Sequence, residues 1–127
     1  MFRAKLKKGN LFKKLIDGIK DIVNAINFDI SANGISLQSM DISNTALISV
    51  NLSAQGFEEY KCDKLIKIGI SIPILAKALH CGGNDDSLTL FCEEEPSTLQ
   101  IKFENLSKYR IYNIIIIFKS SKEKSRI

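Results

Sequence analysis

Apolar and polar residues between Gly9 and Ile26 repeat with the period of an α-helix. At about 100° per residue, the large apolar side chains fall on one arc of roughly 140°. They are Leu11, Phe12, Leu15, Ile16, Ile19, Ile22, Val23 and Ile26. The opposite side carries Lys13 and Lys20, with Lys14 beside the apolar arc. The pattern predicts a helix that buries one face and presents lysines on the other.

Shorter segments around this helix alternate between apolar and polar residues, as half-buried strands do. The first half predicts strands near residues 2–6, 28–30, 35–37 and 45–52, with the helix after the first of them. The second half predicts a strand at 65–72, a helix at 73–80, and strands at 87–92, 98–104 and 109–118. Asn33-Gly34 predicts a two-residue hairpin, because both residues tolerate positive φ.

The two halves predict two copies of one βαβββ unit, at about residues 1–53 and 57–118, within a single domain spanning 1–118. The segment between them is predicted to cross from one unit to the other. The expected fold class is α+β, with two helices on one face of antiparallel sheets. Residues 119–127 hold four cations, one acid and three serines, which predicts a basic disordered tail.

The charge is unevenly distributed along the 127 residues, although the net charge is only +4. Residues 1–20 carry a net +6, residues 21–107 a net −7, and residues 108–127 a net +5. With 45% hydrophobic and 25% charged residues, the chain has the composition of a globular protein. The basic ends predict contact with a polyanion through selected surfaces.

Patterns typical of enzymes, metal sites and membrane spans are missing from the sequence. The single histidine, His80, belongs to no catalytic arrangement, and no phosphate-binding glycine motif occurs. The three cysteines form no C-x-x-C pair, so neither a zinc site nor a disulfide framework is predicted. The longest apolar run, Ile114–Phe118, is far shorter than the roughly 20 residues of a membrane span. We therefore expect no enzyme, no cofactor and no membrane contact.

Two hypotheses remain open for Lys13, Lys14, Lys20 and Lys77 when only the pattern is considered. The first, which the pattern favours, is a solvated helix face. The second is sequence-independent contact with the phosphates of duplex DNA. No aromatic residues interleave with these lysines, which argues against a groove that stacks single-stranded bases. A membrane-surface helix is disfavoured, because the core needs the apolar arc.

Several segments resemble the eukaryotic sliding clamp family, proliferating cell nuclear antigen. They are Leu37-Gln38-Ser39-Met40-Asp41, Gly56-Phe57, Tyr60-Lys61-Cys62-Asp63 and Lys77-Ala78-Leu79-His80-Cys81-Gly82-Gly83-Asn84. The resemblance covers residues 1 to about 104 nearly without gaps and the last strand more loosely. It matches only the amino-terminal domain of that family. It implies a DNA-clamp fold and a nuclear, non-enzymatic processivity factor for DNA polymerase in replication and repair.

The resemblance also implies two binding surfaces. In the family, six such domains close into a ring around duplex DNA, and basic residues of the helices touch phosphates. The residues at these positions here are Lys13, Lys14, Lys20, Lys77 and His80, of which His80 departs from the basic residue usual there. A groove for peptide motifs of DNA polymerase and other clamp-binding proteins corresponds to Met40, Asn44 and Leu47. Asn44 departs from the histidine common at that position.

A third implied surface is the subunit interface formed by the last strand. Its residues are Tyr109, Arg110, Ile111, Tyr112, Ile114, Ile115, Ile116 and Ile117. The strand at 45–52 would face a second domain, so both strands would be open edges that favour self-association or pairing with full-length clamp subunits. The alternative function is an interaction module that binds partner peptides or a full-length clamp without encircling DNA. A folded domain without clamp activity is the third possibility.

Overall fold

The computed structural model describes residues 1–93 and 98–117 as two helices and nine strands. The elements of the first half are β1 (Phe2–Leu6), α1 (Asn10–Ile19), β2 (Ala25–Ser31), β3 (Gly34–Met40) and β4 (Leu47–Ser53). Those of the second half are β5 (Glu59–Cys62), β6 (Ile66–Ser71), α2 (Ile72–Leu79), β7 (Ser87–Cys92), β8 (Thr98–Asn105) and β9 (Arg110–Ile117). The predicted tail, 119–127, lies outside the described residues.

The strands form two sheets in which all the pairings are antiparallel. One sheet has the order β5-β1-β7-β8-β9 and the other has the order β4-β3-β2-β6. Strand β1 therefore pairs with the second half of the chain, and β6 pairs with β2 of the first half. Each βαβββ unit gives its first strand to the sheet of the other unit. The predicted fold class, α+β with two helices and antiparallel sheets, is confirmed.

The segment predicted to cross between the two units contains an additional strand, β5. It pairs with β1, and Arg3 lies opposite Lys61 in the ladder. The Tyr60 hydroxyl donates a hydrogen bond to the carbonyl of Ser31 in the other sheet. Burial, and to a smaller degree the nearby Cys62 thiol, raises the pKa of Tyr60 to about 12. Strand β5 therefore protects one side of β1 and connects the two sheets.

The predicted helix at Gly9–Ile26 is shorter in the structure, because α1 ends at Ile19. The chain then turns, and the N–H groups of Ile22 and Val23 both donate to the carbonyl of Ile19 at 3.1 Å. Ile26 belongs to β2, which is paired on both sides, with β3 and with β6. β-Branched residues suit strands at least as well as helices, so the two ladders decide the outcome.

The helices bury their apolar sides against the sheets, and the buried face of α1 is narrower than predicted. Phe12, Ile16 and Ile19 are buried, but Leu11 is 66% exposed and Ile22, beyond the helix, is 44% exposed. In α2 the buried residues are Ile72, Leu75, Ala76, Ala78 and Leu79. The polar side of each helix is therefore left to face away from the core.

The β2–β3 turn differs from the predicted Asn33-Gly34 hairpin. Ser31 lies opposite Gly34 in the ladder, so the two loop residues are Ala32 and Asn33. Gly34 has φ 148°, and a Cβ atom there would lie 2.1 Å from the carbonyl oxygen of Leu52. Gly34 is required because the chain passes so close to β4 at this point.

We expect Gly18→Ala to raise the free energy of unfolding by about 0.5–1 kcal/mol, because glycine inside a helix costs about that much relative to alanine. An added Cβ atom at Gly18 meets no other atom within 4 Å. Urea unfolding measures the change. Gly56→Ala is the matched control, since that site is also open but lies in a 3-10 turn. A destabilised Gly18→Ala protein would contradict the helix geometry.

Candidate nucleic-acid interface

The five residues predicted to contact DNA all lie on the two helices or at their C-terminal ends. Lys14, Lys20, Lys77 and His80 are exposed, and Lys13 is half-buried. Lys20 and His80 are the C-cap residues of α1 and α2. The structure therefore places all five on the helix layer, with their charged groups outside the apolar core. We call this set the helix surface.

Asp17 joins two members of the helix surface and was not among the predicted site residues. Its Oδ1 atom lies 3.2 Å from Nε2 of His80 and 3.7 Å from Nζ of Lys20. The carboxylate thus connects α1 to α2 and partly neutralises the charge of Lys20. Because these side chains are one-third to one-half exposed, the pairs are weak, and phosphate can compete for them. The i,i+3 spacing of Asp17 and Lys20 was the signal in the sequence.

The other three lysines of the helix surface are not neutralised in this way. Within residues 1–93 and 98–117, Lys13, Lys14 and Lys77 form no ion pair. A lysine ammonium without a partner is the kind of group that binds phosphate as a point charge and displaces counterions. The surface carries no aromatic side chain, so it offers charge and no stacking platform.

Two of the three residues predicted for the peptide groove are direct neighbours. Met40, at the end of β3, lies opposite Leu47, at the start of β4. Their side chains are 45% and 63% exposed. Ile42 and Ile22, which the sequence prediction missed, extend this apolar surface, and the N–H of Ile42 donates to the carbonyl of Ile22 at 2.9 Å. The four side chains form an exposed apolar patch beside the end of α1.

The loop between β3 and β4 is held by the carboxylate of Asp41. It accepts hydrogen bonds from the Ser43 hydroxyl at 2.6 Å and from the N–H groups of Thr45 and Ala46 at 2.8 and 3.0 Å. These hydrogen bonds, that of Ser43 foremost, lower the pKa of Asp41 to about 2. Asn44, the third predicted groove residue, has φ 59°, a left-handed conformation that asparagine tolerates. The β3–β4 loop is therefore held in place by local contacts.

The predicted interface strand, β9, forms one edge of the five-stranded sheet. Tyr109 precedes the strand, and the remaining predicted residues lie within it. The exposed ones are Tyr109, Ile111, Tyr112, Ile115 and Ile117. Ile114 is half-buried, Ile116 is buried in its own core, and Arg110 turns back toward Asp86. Within residues 1–93 and 98–117, this edge therefore has no further strand paired to it and is flanked by large apolar side chains.

Asp86 is the buried centre of a polar cluster that was predicted only as part of a turn. Its carboxylate accepts hydrogen bonds from the Gly83 N–H at 2.7 Å, Asn105 Nδ2 at 3.2 Å and Arg110 Nη2 at 2.7 Å. Its carbonyl accepts from the N–H of Gly9 at 2.9 Å. Burial alone would raise the pKa of Asp86, but these hydrogen bonds and the charge of Arg110 hold it below its ordinary value. One residue thus connects the starts of α1 and β9 with the end of α2.

The opposite open edge, β4, borders an apolar groove of about 360 Å³ beneath α1. Leu11, Leu15, Val50, Leu52 and Phe57 contribute to its lining. Alternate residues of β4 are only half-buried along the whole strand, so its inward side is incompletely covered. Among the residues that the structure describes, β9 and β4 therefore each end a sheet and carry exposed apolar side chains.

The described residues contain no group of three or more His, Cys, Asp or Glu side chains that could hold a metal ion. No helix among them is long and apolar enough to cross a membrane. The three cysteines are free thiols, and burial raises the pKa of Cys92 to about 12.

Comparison with known proteins identifies the family. The family model described as "Proliferating cell nuclear antigen, N-terminal domain" matches residues 1–123. The chain is similar to the proliferating cell nuclear antigen of Chaetomium thermophilum, with 42% identity over 111 residues. The alignment covers 87% of this chain and 43% of that protein, so the chain spans less than half of the relative's length. The chain therefore belongs to the proliferating cell nuclear antigen family, and it matches the N-terminal domain of that family.

Proposed function

We propose that this chain is a domain of a DNA sliding clamp, a non-enzymatic processivity factor that holds duplex DNA without reading its sequence. The observation that carries the proposal is the helix surface. It gathers five cationic or titratable side chains on the outer side of two helices whose apolar sides are buried. In this proposal residues 1–118 form one clamp-type domain of two βαβββ units, followed by a basic tail.

The number of charges sets how tightly one domain can hold DNA. Each phosphate contact with a duplex contributes about 0.9 to the slope of log affinity against log salt concentration. Four lysines per domain give weak, salt-sensitive binding, so retention on DNA requires several domains around one duplex. The partly neutralised position of Lys20 beside Asp17 weakens the single domain further.

The two open edges supply a means of assembling such a ring. Strand β9 of one copy can extend the sheet at β4 of a neighbour, either another copy of this chain or a full-length clamp subunit. The groove beside β4 would receive apolar side chains from that neighbour. Head-to-tail contacts of this kind close into rings when the rotation between copies permits it. Membership of the family supports the further proposal of a nuclear location and a role in DNA replication and repair.

The apolar patch around Met40 and Leu47 is proposed to hold peptide motifs of DNA polymerase and other clamp-binding proteins. An ordered loop with Asp41 at its base and exposed apolar residues on either side suits a peptide with apolar and aromatic anchors. Asn44 lies at the tip of this loop, where its side chain can contact the peptide without disturbing the left-handed backbone.

Replacement of Lys13, Lys14, Lys20 and Lys77 with alanine tests the helix surface. If all four contact phosphates, the salt slope for duplex binding falls by about 3–4, with a large loss of affinity at low salt. Fluorescence anisotropy with a labelled duplex measures both quantities. The control variant replaces Lys61, Lys67 and Lys102, which occupy the less buried, alternate positions of β5, β6 and β8, and should change the slope much less. An unchanged salt slope in the four-lysine variant would show that the helix surface is a solvated face that does not contact DNA.

Ring closure is tested separately by retention on circular duplex DNA. A closed ring stays on the circle and slides off after the circle is cut, whereas an interaction module shows no difference between the two forms. The mass of the chain in solution, measured across a range of concentrations, shows which assembly carries the activity. A chain that remains monomeric at high concentration would exclude a ring made of this chain alone.

A further inference from the structure

Three turns meet at one end of the five-stranded sheet. Leu6, at the end of β1, lies opposite Leu88 of β7, and Ser87 lies opposite Glu104 of β8. The turns that leave these positions are residues 7–9, residues 84–86 and residues 106–109. With neighbouring strands about 4.8 Å apart, the distance from the end of β1 to the start of β9 is roughly 15 Å. We call this region the turn edge.

The turn edge carries positive charge that is free to meet a ligand. Lys7, Lys8 and Lys108 are exposed, and within the part of the chain that the structure describes none of them forms an ion pair. The carboxylate of Asp86 is buried against Arg110, which leaves Asp85 as the exposed acid of the three turns. The exposed charge of the turn edge is therefore positive, which favours an anionic partner.

The turn edge also presents an aromatic ring, which the helix surface lacks. The side chain of Tyr109 is 97% exposed, and its backbone is left-handed with φ 51°. Asn105 fixes the turn, because its side-chain oxygen accepts from the Ser107 hydroxyl at 2.8 Å and the Lys108 N–H at 3.2 Å. The Asn105 side chain in turn donates to Asp86. The ring is thus carried outward by an anchored turn and not by a loose loop.

We propose that the turn edge binds single-stranded nucleic acid, with an unpaired base stacked on Tyr109 and phosphates held by Lys7, Lys8 and Lys108. A base within a duplex is already stacked on its neighbours, so the exposed ring discriminates in favour of unpaired bases. The distance of roughly 15 Å between the outer turns corresponds to a few nucleotides. The inference rests on the proposed function, because it assumes that the chain acts on DNA as a clamp domain. It adds to the duplex contact a second contact, made with an unpaired strand.

The test uses a labelled single-stranded oligothymidine and a labelled duplex of equal length, with affinity measured by anisotropy. Tyr109→Asn removes the ring and keeps a residue that tolerates the left-handed backbone. Because Tyr109 is also a predicted subunit-interface residue, both affinities are measured at a protein concentration at which the chain is monomeric. Under that condition the substitution should weaken single-strand binding by about 5-fold or more and leave duplex binding within about 2-fold. Tyr109→Phe keeps the ring and should bind as the unaltered protein does. Replacing Lys7, Lys8 and Lys108 with Gln should lower the single-strand salt slope by about 2.

The outcomes separate this inference from the proposed function. Equal effects of Tyr109→Asn on both probes, or no effect on either, would overturn it. Displacement of the oligothymidine by a polyglutamate peptide of equal charge, at equal concentration, would also overturn it, since the edge would then bind anions in general. If the four-lysine variant of the helix surface keeps full duplex affinity while Tyr109→Asn loses single-strand affinity, the proposed helix contact fails and the turn edge stands. The reverse result rejects the turn edge alone.

Discussion

Replacement of Asp86 with alanine is expected to lower the free energy of unfolding by about 3 kcal/mol. The substitution removes the acceptor of three hydrogen bonds and leaves the Arg110 guanidinium without its partner. About a third of the Arg110 side chain is exposed, so water can hydrate the unpaired guanidinium. The expected loss of stability therefore lies at the low end of the range for breaking a buried ion pair. Chemical unfolding in urea measures the change.

Asp85→Ala is the matched control, because Asp85 is the adjacent residue with the same side chain and is exposed. A surface substitution of this kind is expected to change stability by no more than about 0.5 kcal/mol. Equal losses in the two variants would show that the buried cluster does not stabilise the domain. Hydrogen exchange should further show faster opening of β9 in Asp86→Ala, since Arg110 begins that strand.

The stabilisation by Asp86 should depend on pH in one direction. Its pKa is lower in the folded protein than in the unfolded chain, whose ordinary value is about 3.9. The contribution is therefore fully present above about pH 5, about one unit over the unfolded value, and is lost as the pH falls through the folded value. The stability difference between the unaltered protein and Asp86→Ala should stay constant from neutral pH to about pH 5 and then shrink in more acidic solution. A difference that grows on acidification would contradict this assignment.

Gly34→Ala is expected to destabilise the protein by about 3 kcal/mol or more, because two effects act together. Alanine is strained at φ 148°, and its Cβ atom would lie 2.1 Å from the carbonyl oxygen of Leu52. Backbone atoms of a paired strand cannot move aside as a flexible side chain can. Thermal and urea unfolding give the magnitude, with the stabilising Gly18→Ala substitution as the control for exchanging glycine with alanine. Unchanged stability would mean that the hairpin has another geometry.

The same substitution should also affect peptide binding. Gly34 pairs with Ser53 at one end of the β3–β4 ladder, and Met40 pairs with Leu47 at the other end. A shift of this ladder moves the apolar patch relative to the Asp41 loop. We therefore expect weaker binding of a clamp-binding peptide to Gly34→Ala even at temperatures where the variant is folded. Titration calorimetry with such a peptide measures this, and Gly56→Ala should bind the peptide normally.

The fold was largely predictable where one periodicity dominates the sequence. Strands such as β1 and β8 alternate strictly, and α2 begins at a proline signal and ends before Gly82, so their positions follow from local pattern. The position at which α1 ends could not be predicted from the local pattern. Ile26 satisfies a helical stripe as well as a strand, and the ladders of β2 to β3 and β6 decide between them, whereas Ile22 and Val23 lie in the turn after α1. Those ladders involve residues far away in the sequence.

The residues of the candidate sites also fall into those that local sequence predicts and those that depend on residues elsewhere in the chain. The lysines of the helix surface could be found from helical periodicity, because each position depends on the residues next to it. The contacts of Asp17 with His80 and of Asp86 with Arg110 could not, since these partners lie on other elements. Asp41 accepts hydrogen bonds from backbone N–H groups of its own loop as well as from hydroxyl groups, and a pattern of side chains does not show the backbone contacts.

The exchange of first strands between the two units has a consequence for how the protein is made. Phe2 of β1 lies opposite Cys62 of β5 on one side and Cys92 of β7 on the other. Strand β1 therefore cannot pair on both sides until both residues have been synthesised. At about 5–20 residues per second, the ribosome takes roughly 5–20 s to reach the second partner. During that time the apolar side of α1 has no finished sheet to cover. The nascent chain is therefore expected to depend on chaperones until its second half emerges.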